Sequence, residues 1–198
     1  MADISMDEIK KLREMTGAGI LDCKNALKEK NGNIEEAIRW LREKGIAKAS
    51  MRSDRKTGEG VVASYIHPGD RLGVLLELNS ETDFVARTEE FKSLAKDLCM
   101  QVAASAPKYV SREDVPPEVI KEEKEIYMTQ AREGGKPEQV VEKIAEGKLE
   151  KFYQEVCLLE QPFIKDPEKN VKTLIQELIS KTGENIKVRR FCRYVLGG

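Results

Sequence analysis

The sequence lacks nearly everything that marks a catalytic centre. It has one histidine in 198 residues, His67, so neither a histidine pair for proton transfer nor a multi-histidine metal site is available. Its four cysteines, Cys23, Cys99, Cys157 and Cys192, are far apart and form no C-x-x-C pair, which excludes the common zinc and redox motifs and predicts reduced thiols. There is no phosphate-cradling G-x-x-x-x-G-K-[ST], no G-x-G-x-x-G and no H-E-x-x-H, and no G-x-S-x-G elbow. No apolar run approaches the roughly 20 residues needed to cross a bilayer. The opening "MADISMDEIKKLRE" has no apolar signal core, so a cytoplasmic location away from membranes is expected. A charge excess is missing too. Lys plus Arg number 34 against 35 Asp plus Glu, a net charge of −1, whereas nucleic-acid binders usually carry a basic surplus. The many carboxylates fall on expected helix faces, where solvation is their ordinary role. These absences point to a binding protein without cofactor or metal, not to an enzyme.

What is present is a chain with 40% hydrophobic and 35% charged residues, the balance of a soluble, helix-rich protein. Ser5 and Glu8 form an S-x-x-E capping box, and Met6, Ile9 and Leu12 follow at helical spacing. "TGAG", Thr16 to Gly19, breaks that helix. A second helix is expected from about Ile20 to Lys30 with Leu21, Ala26 and Leu27 inward. Asn33 caps a third, whose apolar face is Ile34, Ile38 and Leu41 and whose stop is Gly45. Residues 1–46 thus read as a small three-helix module, marginal alone and suited to docking on a partner. Residues 47–58, with Lys48, Arg52, Arg55 and Lys56, read as a solvated linker; a phosphate contact is the alternative.

From residue 59 the pattern changes. "GVVASYIH" and "RLGVLLELN" flank "PGD" as a β-hairpin, with Leu72, Val74, Leu76 and Leu78 on one face. A helix follows with Phe91, Leu94, Leu98 and Val102 on one stripe. Two polar helices with Pro117 and Pro137 near their first turns, joined by "GGK", form a helical hairpin over about 116–156. "EQPFIKDP" reads as a loop, "NVKTLIQELISKTG" as a helix ending at Gly183, and "NIKVRRFCRYVLGG" as a last strand. The fold class is α+β, a three-stranded antiparallel sheet with packed helices in a core domain spanning 59–198.

"NSETDFVART", Asn79 to Thr88, joins the hairpin to the next helix and raises a specific question about Phe84. If Ser80 or Thr82 caps the helix, Phe84 lies seven residues before Phe91 and joins its buried stripe. If Thr88 caps it, Asp83, Phe84 and Val85 protrude from a connecting segment. Periodicity leaves both open.

"LREMTGAGILDCKNAL", Leu12 to Leu27, resembles the N-terminal signature of the elongation factor Ts family, and "ELNSETDFVAR", Glu77 to Arg87, resembles its second signature. "YIHPGDRLGVLLEL" and "EQPFIKDP" also resemble family segments, so the likeness runs the length of the chain. The family comprises guanine nucleotide exchange factors for elongation factor Tu. The resemblance implies a ubiquitin-associated-like N-terminal module and a core with an inserted helical hairpin. It implies that Thr82, Asp83, Phe84 and Val85 engage elongation factor Tu, in its GDP-bound and nucleotide-free forms. By the same likeness Arg13, Ile20, Leu21 and Lys24 dock the N-terminal module, and His67, Phe163, Ile164 and Lys165 touch the partner elsewhere. Long members of the family carry two related core subdomains, and this chain has room for one. A homodimer could supply the second copy, with the last strand and Cys192 as its candidate interface.

Overall fold

Ser5 opens the first helix as its spacing predicts. In the computed structural model its backbone N–H donates to Glu8 Oε2 at 2.8 Å and its Oγ accepts from the Glu8 N–H at 3.2 Å. The structure describes residues 4–197. Met1 to Asp3 and Gly198, within the expected domain boundaries, lie outside the described residues, as do the side chains of Ile46, Lys48 and Ser50. Helix α1 (Met6–Thr16) ends at Gly17, which adopts φ +67°. Helix α2 (Ile20–Glu29) and helix α3 (Ile34–Ser50) complete the N-terminal module, and Asn33 Oδ1 caps α3 by accepting from the Glu36 N–H at 3.1 Å. Strand β1 (Glu59–Ile66) and strand β2 (Leu72–Ser80) form the expected hairpin. The short helix α4 (Asp83–Ala86) and helix α5 (Glu89–Ser105) follow. Helices α6 (Pro117–Glu133) and α7 (Glu138–Val156) are the helical hairpin. Strands β3 (Pro162–Phe163) and β4 (Asp166–Asn170), helix α8 (Val171–Thr182) and strand β5 (Ile186–Val195) complete the order. The main sheet runs β1-β2-β5 and is antiparallel, so the fold is α+β as expected.

The chain divides into two compact units. The first gathers Met1–Val61, Leu78–Leu94 and Thr173–Lys187; the second gathers Val62–Glu77, Ala95–Lys172 and Val188–Gly198. In the first, Ile9, Leu12, Cys23, Ala26, Leu27 and Ala37 form a buried cluster, with Ile34, Ile38 and Leu41 packed against it. One expected inward residue is not inward: Leu21 is 70% exposed. The buried stripe of α2 is Cys23, Ala26 and Leu27, at i, i+3 and i+4. Leu21 precedes Cys23 by two residues, about 200° around the helix, and so faces away.

Gly45 does not stop α3, which continues to Ser50. The glycine serves close packing instead: a Cβ there would lie 2.6 Å from Ser180 Oγ on α8. Nor are residues 51–55 a free linker. The Arg52 guanidinium reaches the Ile179 carbonyl, and the Asn185 Nδ2 donates to the Ser53 and Arg55 carbonyls at 3.2 and 2.8 Å.

In the second unit the antiparallel hairpin α6–α7 buries Ala131, Val141 and Ala145 and is laced by Lys124–Glu142 at 2.9 Å and Arg132–Glu138 at 2.6 Å. Arg112 fixes its base. It pairs with Glu150 and Glu160 and lies 4.5 Å over the Tyr153 ring. "EQPFIKDP" is not an open loop but carries β3, paired antiparallel with β4.

Candidate functional site

The junction after β2 uses both of the caps that the sequence offers. Thr82, in extended conformation, caps the four-residue α4, and its Oγ1 is 3.5 Å from the Val85 N. Thr88 then starts a new helix, since its Oγ1 accepts from the Phe91 N–H at 3.3 Å. Phe84 and Phe91 therefore belong to different helices. Phe91 is fully buried, and Phe84 is 80% exposed. Its neighbours Val85 and Ala86 are buried, at 7% and 4% exposure. A helix this short has almost no intrinsic stability, so the burial of those two side chains holds it and turns Phe84 outward. Asp83 is exposed beside Phe84 and pairs with Arg87 at 2.7 Å.

The strand side of the junction is fixed by polar contacts. Buried Ser80 donates its hydroxyl to the Thr82 carbonyl at 2.8 Å. The Thr82 N–H and Oγ1 donate to the two carboxylate oxygens of Glu184, at 3.0 and 2.7 Å. Glu81 Oε1 accepts from the Asn185 N–H at 2.6 Å and pairs with Arg55 at 3.4 Å. Asn185 is 1% exposed.

On the N-terminal module, Arg13, Ile20, Leu21 and Lys24 are all exposed. Ile20 and Leu21 open α2 straight after "TGAG", with Met15 exposed on α1, so the module presents apolar surface that its own core does not use. In the second unit His67 sits at the hairpin turn. Its N–H donates to the Leu72 carbonyl at 2.9 Å and its Nδ1 is 3.0 Å from the Tyr65 hydroxyl. Phe163 is buried at 5% exposure, so its ring holds β3 in place and is not itself surface, whereas Ile164 (41% exposed) and Lys165 are outward. The Ile164 N–H donates to Gln101 Oε1 at 2.9 Å, and Lys165 Nζ pairs with Asp97 at 2.7 Å. Gln101 and Asp97 stand one turn apart on α5.

The family model for Elongation factor TS matches residues 2–197. The chain is 62% identical over 195 residues to an elongation factor Ts of Thermotoga maritima, covering 98% of this chain and 97% of that one. It is 59% identical over 194 residues to an elongation factor Ts of Caldanaerobacter subterraneus, with 98% and 97% covered. The chain belongs to the elongation factor Ts family. It is thereby a translation elongation factor.

Beyond the family signatures, the residues that frame Phe84 include two the sequence did not single out. Glu184 and Asn185 follow Gly183, whose φ of +77° ends α8. The helix stop was legible; their partners, about a hundred residues away, were not. Among the described residues no group of His, Cys, Asp or Glu is arranged to hold a metal, and no helix is long and apolar enough to cross a membrane. All four cysteines are free. Burial pushes the Cys99 and Cys157 thiols up to about 11, and Cys192 is only half-buried on β5.

The outward face of the sheet in the second unit carries several apolar side chains around one ion pair. Leu75 lies opposite in phase to buried Val74 and Leu76, and Ile66 lies against Gly73 on that same face. The Arg190 side chain donates to Glu77 at 2.8 Å, which places Arg190, and at period two Cys192 and Tyr194, on this face. Ile66, Leu75 and Tyr194 are each about half exposed or more.

Proposed function

We propose that the protein is the nucleotide exchange factor for elongation factor Tu, that it binds both the GDP-bound and the nucleotide-free GTPase, and that Phe84 is the group that drives release. The observation that carries this reading is the 80% exposure of Phe84 on a helix whose other apolar residues are buried. An aromatic ring held out at that cost in water contact is suited to a pocket on another protein.

The physical requirement is plain. With nanomolar affinity for GDP and an on-rate of roughly 10⁶ per molar per second, unaided release runs at roughly 10⁻³ per second. A factor that binds the empty GTPase better than the loaded one must weaken nucleotide binding by the same coupling free energy. Phe84 inserted between the partner's helices would shift the loops that hold Mg²⁺ and the phosphates. Mg²⁺ demands near-octahedral geometry at about 2.1 Å, so a small shift is costly. Burial of one Phe contributes about 1.5–3 kcal/mol, too little alone, so other contacts share the work. Thr82 and Val85 set the helix, and Asp83 supplies a carboxylate at its rim. Arg13, Ile20, Leu21 and Lys24 dock the N-terminal module. His67, Ile164 and Lys165 meet the partner elsewhere, with Phe163 supporting the latter pair from beneath. No bond is made or broken by this chain, and the role needs neither cofactor nor nucleic acid. The setting is the cytoplasm, where translation proceeds.

The test is release of a fluorescent GDP analogue from elongation factor Tu. Wild type is expected to accelerate it, and Phe84→Ala to lose most of the acceleration, roughly thirtyfold for a 2 kcal/mol hot spot. Unchanged acceleration in that variant would overturn the wedge. We also propose that the outward sheet face with Cys192 pairs two copies of the chain. Sedimentation at micromolar protein should then give about twice 22.4 kDa, and a monomer would reject the pairing.

A further inference from the structure

Every polar backbone and side-chain group of Thr82 is hydrogen-bonded, and one residue accepts both of its hydrogens. Glu184 Oε2 accepts from the Thr82 N–H at 3.0 Å and Oε1 from the Thr82 hydroxyl at 2.7 Å. The Thr82 carbonyl accepts from Ser80 Oγ at 2.8 Å and from the Ala86 N–H at 3.4 Å. Thr82 is the cap of α4, and Phe84 lies two residues on. The aim of the ring therefore depends on where Thr82 is held. Glu184 is itself placed by a rigid turn: Gly183 in the left-handed region, the Glu184 N–H donating to Thr182 Oγ1 at 3.3 Å, and Asn185 buried and bonded to Ser53, Arg55 and Glu81. Two charge-assisted bonds in a fork fix both distance and direction, which a single bond does not.

We propose that Glu184 is a positioning residue for nucleotide exchange, which orients Phe84 by gripping Thr82 and makes no contact with the GTPase itself. This rests on the reading that Phe84 drives release. A group that acts only through the orientation of another should alter the maximal rate and not the docking of the complex. It should also have nothing left to do once that other group is gone.

The experiment is the fluorescent GDP release assay with elongation factor Tu, run as a function of factor concentration for wild type, Glu184→Ala, Glu184→Gln, Phe84→Ala and the double variant Glu184→Ala/Phe84→Ala. Glu184→Ala should lower the maximal rate roughly tenfold, about 1.4 kcal/mol in the barrier, with a half-saturating concentration within twofold of wild type. Glu184→Gln keeps an acceptor for one of the two hydrogens and should fall between. In the Phe84→Ala background, Glu184→Ala should add no further loss. If Phe84→Ala slows release but Glu184→Ala does not, or if the two losses multiply, Glu184 does not work through the ring and the proposal fails. If Phe84→Ala has no effect, the failure lies in the wedge reading on which it stands. Thermal melting of Glu184→Gln guards against a folding defect: a loss of rate no larger than that of Glu184→Ala, in a variant that melts like wild type, supports positioning, and a rate equal to wild type overturns it.

Discussion

Two short junctions in this protein carry a phenylalanine, and they use it in opposite ways. At Thr82–Thr88 the ring of Phe84 is out and its neighbours Val85 and Ala86 are in. At Gln161–Asn170 the ring of Phe163 is in and its neighbours Ile164 and Lys165 are out. Both junctions are braced from outside themselves. Glu184 and Ser80 hold the first. A buried amide pair holds the second: Gln101 Nε2 donates to Gln161 Oε1 at 3.1 Å, and Gln161 Nε2 donates to the Glu155 carbonyl at 2.8 Å. The difference teaches that which residue of a loop meets the solvent is decided by the scaffold beneath it. Residue type alone would have put both rings inside or both outside.

The contrast can be broken in steps. Phe163→Ala opens a hole under β3 and should cost about 3–5 kcal/mol in denaturant unfolding; a cost below about 1 kcal/mol would mean the ring supports nothing. Gln101→Leu leaves the Ile164 N–H and Gln161 Oε1 without partners, and should cost about 2–3 kcal/mol together with loss of hydrogen-exchange protection at the Ile164 amide. A protected amide in that variant would show that β3 needs no brace from α5. Phe84→Ala removes a side chain that the folded chain barely touches, so unfolding should shift by less than about 0.5 kcal/mol. A loss as large as that of Phe163→Ala would return Phe84 to the core and erase the distinction.

The same pair of junctions shows what a single sequence can disclose. The capping box at Ser5, the cap at Asn33, the β2 alternation and the Phe91 stripe were all readable, because each depends on residues within a few positions of one another. Periodicity allows two caps around Phe84, and the chain uses both by inserting a helix of one turn between them. Gly45 looked like a helix stop because glycine usually is one near a helix end; its reason is Ser180, 135 positions on. The grip of Glu184 on Thr82 and the Gln101–Gln161 pair span separations of 102 and 60 residues, and no local pattern encodes them. The family signatures point to residues expected at a contact without showing what aims them.

The bonds that Asn185 donates to the Ser53 and Arg55 carbonyls, and that Thr82 donates to Glu184, bear on biogenesis. The unit that presents Phe84 is stitched from three stretches of chain, the last of them Thr173–Lys187. While the ribosome is still making the helical hairpin, that unit is missing its closing piece, and its parts wait without their clasp. The emerging polypeptide therefore has no fixed seat for Phe84 until Thr173–Lys187 has been made, so this corner of the fold closes among the last.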